Sequence, residues 1–325
     1  MRNPMPKLSI ITINYNHLDG LRRTIESVVN QTFTDYEWIV VDGGSTDGSR
    51  ELLEQYKDHF AWWCSKPDTG VYNAMNKGIA HATGEYVNFM NSGDIFASMT
   101  ILSEVFDAPR TADVLYGYMT LGTIDGESFW PEMMKPKLQR YDFYGATLNH
   151  QSTFTKREVF VKYGGFDESY RILADWRHFA QIIAVENVTT EFIPQKISIY
   201  EGGGLSITQN ERVAIELKRI RHEVYPAFDD DVYNRLKKLE AASEELTRLC
   251  YVYPEFDNDV YKHLTELGTI LMYLAKLKKQ AYHVVSSGLY DRLKQLDVVL
   301  TFKITRWVFV VLYRINNIIL KLIRK

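Results

Sequence analysis

The sequence predicts an α/β fold built on a mainly parallel sheet with helices on both faces. Apolar, β-branched runs of strand length recur along the N-terminal third of the chain. Segments with helical spacing separate them, and each run is followed by a cluster of Asn, Asp, Ser and Gly. Continuous apolar strands that alternate with helices mark a sheet buried on both faces.

Leu8 to Ile13 (LSIITI) is the first strand, and Leu18 to Val29 places Leu21, Ile25 and Val28 on one helical face. Glu37 to Val41 (EWIVV) closes the first β-α-β unit. The pattern repeats with a helix after Asp47, a strand from Phe60 to Cys64, a helix from Val71 to His81, and the strand EYVNFM starting at Glu85. Asp113 to Met119 reads as a further strand, after which Trp130, Pro131 and Pro136 mark an irregular surface excursion. A helix starts at Lys156. The Gly-rich stretch YGGF then leads into a second helix carrying Asp175, and from about Asn210 the sequence is helical and charged. The expected organisation is an α/β domain over 1–205, a helical extension over 206–295, and a basic amphipathic helix over 296–325.

A chain of 325 residues with 46% hydrophobic content can bury a core of that size. The net charge of −3 gives no general attraction to nucleic acid, and no zinc-type Cys/His spacing is present, so a nucleic-acid partner is not expected. Cys64 and Cys250 form no disulfide framework, and MRNPMPKLSI runs into a strand with no signal-peptide pattern, which fits a reducing, cytoplasmic setting.

In a sheet of this kind ligands bind beyond the carboxyl ends of the strands. Those positions are polar throughout: Asn14-Tyr15-Asn16, then DGGSTDG from Asp42, then Pro67-Asp68-Thr69-Gly70, then Asn91-Ser92-Gly93-Asp94. DGGSTDG combines a helix start with glycines that let backbone N–H groups approach a ligand. The Asp42 carboxylate is placed to accept an imide N–H of a base. Tyr15 either stacks on that base or is a plain rim aromatic.

In this order, LSIITINYN, SVVNQTFTDYEWIVVDGGSTDG, PDTGVYNAMNKGIAHATGEYVNFMNSGD, HQSTF and GGFDESYRILADW resemble the inverting family 2 glycosyltransferases. These nucleotide-sugar enzymes have the GT-A fold, a Rossmann-like sheet flanked by helices, and are common in bacterial surface-polysaccharide synthesis. The similarity covers roughly residues 7 to 200. It implies that Asn14, Tyr15, Asp42 and Asp68 hold the nucleoside and that Asn76 and Lys77 lie beside the donor pocket, Lys77 having a solvated helix charge as its plain alternative. His150 and Gln151 fall where the family places a strand under the donor sugar, although a satisfied core histidine is an equal reading. Asp175, in ADW, matches the catalytic base. Trp176 packs either beneath the acceptor groove or in the core.

The chemistry calls for these residue types. Displacing a nucleoside diphosphate from an anomeric carbon builds negative charge on the leaving group, to be met by a divalent cation or fixed donors. The attacking acceptor hydroxyl must lose its proton to a positioned carboxylate. The family usually carries an Asp-x-Asp element after the fourth strand. Here Asn91 replaces the first Asp, Gly93 falls where the metal-binding Asp usually sits, and Asp94 keeps the trailing carboxylate. Hard Mg²⁺ or Mn²⁺ needs few protein ligands, because diphosphate oxygens and water complete its shell. Asp94 is therefore the expected metal ligand and Asn91 the ribose contact. Gly43 is a further departure, at a position where relatives often have a second Asp.

After Asp297 the chain carries Lys303, Arg306, Arg314, Lys321, Arg324 and Lys325 and no acidic residue. Lys303, Arg306, Arg314, Asn317, Lys321 and Arg324 recur near helical spacing as one polar stripe, with Trp307, Phe309, Leu312, Ile315 and Ile319 elsewhere on the helix. The uncharged run Trp307 to Tyr313 is too short to span a bilayer. A basic amphipathic helix of this composition suits an anionic membrane interface, which makes the protein peripheral at the cytoplasmic face; the alternative is a helix packed on protein.

The sequence thus points to an inverting glycosyltransferase moving a sugar from a nucleotide donor, UDP-linked by expectation, to a saccharide or lipid-linked acceptor. A catalytically inactive, nucleotide-binding membrane scaffold is the alternative; Gly43 and Gly93 favour it and Asp175 opposes it. A nucleotidyltransferase would need a basic phosphate loop after the first strand, and Asn14-Tyr15-Asn16 has none.

Overall fold

The computed structural model describes residues 5–123 and 133–226, together with Asp230, Tyr233 and Asn234. Most of the 206–295 extension, all of the 296–325 helix, and Trp130 and Pro131 of the surface excursion lie outside the described residues.

The elements run β1 (Leu8–Asn14), α1 (Leu18–Val29), β2 (Tyr36–Asp42), α2 (Ser49–Tyr56), β3 (Trp62–Ser65), α3 (Val71–His81), β4 (Tyr86–Phe89), β5 (Ile95–Phe96), α4 (Ile101–Phe106) and β6 (Val114–Leu121). Then follow α5 (Asp142–Gly145), β7 (Thr153–Lys156), α6 (Arg157–Tyr163), α7 (Ala174–Phe179), β8 (Thr190–Tyr200), α8 (Leu205–Thr208) and α9 (Asn210–Val224). The helices over 18–29 and 71–81 match the sequence reading at both ends. Strand β3 starts later than Phe60, because the Phe60 N–H is still closing a 3₁₀ turn on the Lys57 carbonyl.

The sheet order is β3-β2-β1-β4-β7-β6-β8-β5. Strands β3, β2, β1 and β4 are parallel, as expected for β-α-β units. The other half is mixed: β7 runs antiparallel to β4 and β6, and β5 antiparallel to β8, while β6 and β8 are parallel. The chain enters β7 from the end of the sheet at which β6 finishes, so the two pair antiparallel. His150 and Gln151 are not in a strand. They form a single 3₁₀ turn, His150–Ser152, ahead of β7. The Asn88 amide of β4 donates to the Gln151 and Thr153 carbonyls at 3.1 and 3.0 Å and so pins that turn across the sheet.

All seven residues of β1 are buried. Leu8 and Ile10 pack with Trp38, Val40, Leu21, Ile25, Val28, Leu52 and Leu53 in one cluster, each such side chain contributing about 1.5–3 kcal/mol of burial. Two polar side chains inside are paired in series: Trp38 Nε1 donates to Thr12 Oγ1 at 3.0 Å and Thr12 donates to the Met90 carbonyl at 2.8 Å. Trp176 belongs to the core, buried, with Nε1 donating to the Phe143 carbonyl at 2.7 Å. Among the described residues no helix is long and apolar enough to cross a membrane.

Candidate active site at the carboxyl ends of the strands

Strand register brings the polar loops together. Asn14, the last residue of β1, pairs with Asp42, the last of β2, and Asp42 pairs with Ser65 of β3. Asp42 is fully buried. It accepts hydrogen bonds from Asn14 Nδ2 at 2.8 Å, Ser45 N at 2.9 Å, Ser45 Oγ at 2.5 Å and Ser65 Oγ at 2.7 Å. Burial pushes its pKa up, but these donors outweigh burial and hold it below the usual carboxylate range. With both oxygens taken, Asp42 organises the three loops and has no free oxygen for a base. Asn14 is buried too, with its Oδ1 left without a partner.

The open part of the rim is Tyr15, which is 67% exposed. A Cβ added at Gly43 would lie 3.1 Å from the Tyr15 ring and 2.9 Å from Asp68 Oδ2. Gly43 therefore lets the Tyr15 ring and the Asp68 carboxylate both close on the backbone at this point of the rim. Asp68 Oδ1 accepts the Gly70 N–H at 2.8 Å, which fixes that carboxylate. Lys77 is half-buried on α3 and its charge reaches Cys64 of β3. Asn76 faces elsewhere: its amide donates to the Phe166 carbonyl at 2.8 Å and to Glu168 at 2.9 Å, and it accepts the Phe166 N–H at 2.8 Å. It ties α3 to the loop before α7.

Asp175 lies in the first turn of α7. Tyr72 of α3 donates to its Oδ1 at 2.8 Å, and His150 Nδ1 stands 3.1 Å from its Oδ2. Burial raises its pKa, but the His150 and Tyr72 hydrogen bonds and the Trp176 backbone N–H prevail and keep it below the ordinary value. On its other side His150 Nε2 is 2.9 Å from the Asn91 amide nitrogen. An unbroken chain thus runs from Asp175 through His150 to the loop after β4. Glu216 of α9 fixes the approach to Asp175, accepting the backbone N–H groups of Arg171, Ile172 and Leu173 at 2.9, 3.0 and 3.0 Å.

In the loop after β4, the Thr24 hydroxyl of α1 accepts the Gly93 N–H at 3.0 Å and donates to the Asp94 carbonyl at 2.8 Å. The Asp94 side chain is buried, which pushes its pKa up to about 7; the His150 charge, a Gln151 hydrogen bond and the Glu201 backbone N–H only partly offset this, and the Glu201 carboxylate adds to it. Among the described residues no three His, Cys, Asp or Glu side chains converge on one point. A hard dication nonetheless fits this donor set. Asp94 and the nearby Glu201 would offer it carboxylate oxygens, and water and phosphate oxygens complete such an ion's shell.

The sequence reading did not name Tyr72, Glu216 or Glu201. They stand 103, 45 and 178 positions from Asp175, Arg171 and Arg23, the residues they bond. No local pattern signals such pairs.

A family model described as Glycosyl transferase family 2 matches residues 9–164. An uncharacterized glycosyltransferase of Mycobacterium tuberculosis is 34% identical over 174 residues, which is 52% of this chain and 66% of the relative, just under two thirds of its length. A PGL/p-HBAD biosynthesis glycosyltransferase of the same organism is 28% identical over 213 residues, covering 62% of this chain and 80% of the relative. Among solved structures, S. aureus TarS 1-349 in complex with UDP-GlcNAc aligns with TM-score 0.53 at 16% identity, covering 84% of this chain and 88% of that one. The mannosyltransferase PcManGT from Pyrobaculum calidifontis, in complex with GDP-Man and Mn²⁺, aligns with TM-score 0.54 at 16% identity over 95% and 85% of the two chains. At such identity these two structures support the GT-A fold and no finer likeness.

Proposed function

From the premise that this chain carries a glycosyl transferase family 2 domain over residues 9–164 and belongs to that family, we propose that it is an inverting transferase. It moves a sugar from a nucleotide donor, UDP-linked in our reading, to a saccharide or lipid-linked acceptor in cell-surface glycan synthesis. The observation that carries this reading is the chain Asp175–His150–Asn91, which joins a low-pKa carboxylate to the loop after β4.

The base of the donor stacks on the exposed Tyr15 ring, with Asp68 and the loop held by Asn14 and Asp42 beside it. Asn91 and Gln151 contact the ribose and sugar side, and the diphosphate lies towards Asp94. Asp175 takes the proton of the acceptor hydroxyl as its oxygen attacks the anomeric carbon. The bond from that carbon to the diphosphate oxygen breaks on the opposite face, so the configuration inverts in one displacement. An ionised Asp175 is needed at neutral pH, and its hydrogen bonds keep it so. His150 does not touch the reacting atoms in this scheme; it orients Asp175. When bound, a divalent cation near Asp94 neutralises charge growing on the leaving diphosphate.

The related PGL/p-HBAD biosynthesis enzyme and the UDP-GlcNAc and GDP-Man complexes of structural neighbours support a nucleotide-sugar donor and a glycolipid or polysaccharide product. Residues 296–325 dock the enzyme on an anionic leaflet where a lipid-linked acceptor is presented. Equal binding of anionic vesicles by the full chain and by a chain ending at Asp297 would exclude that part.

Calorimetric titration of the full-length protein with UDP, GDP and their sugar conjugates tests the central reading. Binding of a nucleoside diphosphate that is weakened by Tyr15→Ala supports it. Absence of binding to every nucleotide tried, with and without Mn²⁺, overturns it.

A further inference from the structure

We infer that Glu201, just beyond β8, is the second carboxylate of the cation site, standing where Gly93 leaves no side chain. This rests on the nucleotide-sugar reading above and extends it to a residue from another part of the chain.

The geometry at Gly93 is specific. Its φ is +102°, a backbone conformation open to glycine and strained for other residues. A Cβ built there would lie 2.3 Å from Glu201 Oε2 and 2.9 Å from His17 Cε1. The space a side chain at 93 would enter is thus filled by the Glu201 carboxylate. An acidic residue at 93 and Glu201 in its present place exclude one another sterically, while a glycine there lets the β4 loop close beneath the carboxylate.

Glu201 is tied to Asp94 by backbone and by charge. Its N–H is hydrogen-bonded to the Asp94 carboxylate, and its own carboxylate is close enough to act on Asp94 by charge. Strand β8 reaches this position by pairing with β5, where Ile199 lies opposite Ile95, the residue next to Asp94. Gly202 and Gly203 follow at φ +96° and +75°, so the chain turns away directly after placing Glu201. The side chain is 37% exposed, so it remains open to solvent and ligand.

The partners of Glu201 suit a ligand held ready. Arg23 of α1 ion-pairs with Oε1, and His17 Nε2 lies 3.3 Å from Oε2. Arg23 holds the carboxylate in place before a cation arrives. Oε2 is the atom nearest Gly93 and, with Asp94, offers two hard oxygen donors from separate segments. Water and diphosphate oxygens supply the remaining positions that Mg²⁺ or Mn²⁺ requires.

The test is Mn²⁺ binding, read by the electron paramagnetic resonance signal of free Mn²⁺, on the full-length protein with and without saturating UDP. Wild type, Glu201→Gln, Asp94→Asn and Arg23→Gln are compared, and far-ultraviolet circular dichroism and melting temperature verify that each is folded. Glu201→Asp is the fallback should the Gln variant misfold. We expect Glu201→Gln to weaken Mn²⁺ binding by on the order of tenfold or more, with UDP binding in EDTA within about twofold of wild type. Arg23→Gln should bind Mn²⁺ at least as tightly as wild type, because it frees a carboxylate. Wild-type Mn²⁺ affinity in folded Glu201→Gln overturns the inference. So does an equal loss in Arg23→Gln and Glu201→Gln, which would make Glu201 a salt-bridge partner only, and so does absence of Mn²⁺ binding by wild type. Failure of UDP to bind while Mn²⁺ binding still depends on Glu201 would instead strike the nucleotide-sugar reading.

Discussion

His150 Nδ1 lies 3.1 Å from Asp175 Oδ2, and the same ring presents Nε2 to the Asn91 amide at 2.9 Å. The ring therefore bridges the carboxylate on one side and the side-chain amide on the other. One imidazole therefore sets the orientation of the carboxylate in α7 against the loop after β4. Tyr72 holds the other carboxylate oxygen from α3. Two separate segments, the turn at His150 and helix α3, fix this one side chain, as catalysis by a positioned base demands.

Asp175→Asn should remove the proton acceptor while preserving shape. Loss of about 10²–10⁴-fold in kcat is expected, with donor affinity and melting temperature close to wild type. Steady-state kinetics with calorimetry of the donor checks both.

His150→Ala should lower kcat less than Asp175→Asn and move the acidic limb of the pH–rate profile upward. His150 is among the groups that hold the Asp175 pKa down, so its removal lets that pKa rise, and Asp175 then protonates at higher pH. An unchanged limb alongside lowered kcat would separate positioning from charge.

Gly43→Ala should weaken nucleotide binding without unfolding the protein. Its new Cβ would meet Asp68 Oδ2 at 2.9 Å and the Tyr15 ring at 3.1 Å, displacing the two groups proposed to hold the base. Tyr15→Ala removes the stacking surface, worth about 1–3 kcal/mol per base, and should raise Kd by roughly tenfold or more. Both effects are readable by titration with UDP.

Glu216→Gln should cost about 1–3 kcal/mol of stability, because an amide group would replace an oxygen that accepts from backbone N–H groups of residues 171–173. Chemical denaturation gives the loss. A fall in kcat larger than the stability change explains would show that α9 positions Asp175 as well as stabilising the fold.

His178 makes stability pH-dependent. It is buried and stacked on Phe160 with ring centroids 4.9 Å apart, and burial, aided by Arg177, lowers its pKa from 6.5 to about 4. The unfolded chain binds the proton more readily, so stability is full above pH ~6.5 and falls as pH drops towards ~4, by on the order of 3 kcal/mol. His178→Phe should flatten that part of a melting-temperature profile. An unaltered slope between those limits would exclude His178 as its source.

The sequence by itself determined the alternation of strands and helices, the bounds of the helices over 18–29 and 71–81, and the placing of Asn14, Asp42, Asp68 and Asp94 at strand ends. Periodicity and turn chemistry are local properties, legible wherever neighbouring residues decide them. Tertiary structure decided what those residues do. It buried Asp42 among donors from three loops, turned Asn76 towards Phe166, ran β7 antiparallel with His150 in a turn ahead of it, and brought Glu201 over Gly93. These outcomes depend on strand direction and register between segments far apart in the chain. Hydrogen-bond partners in a buried polar network are chosen by that geometry and leave no periodic trace along the sequence.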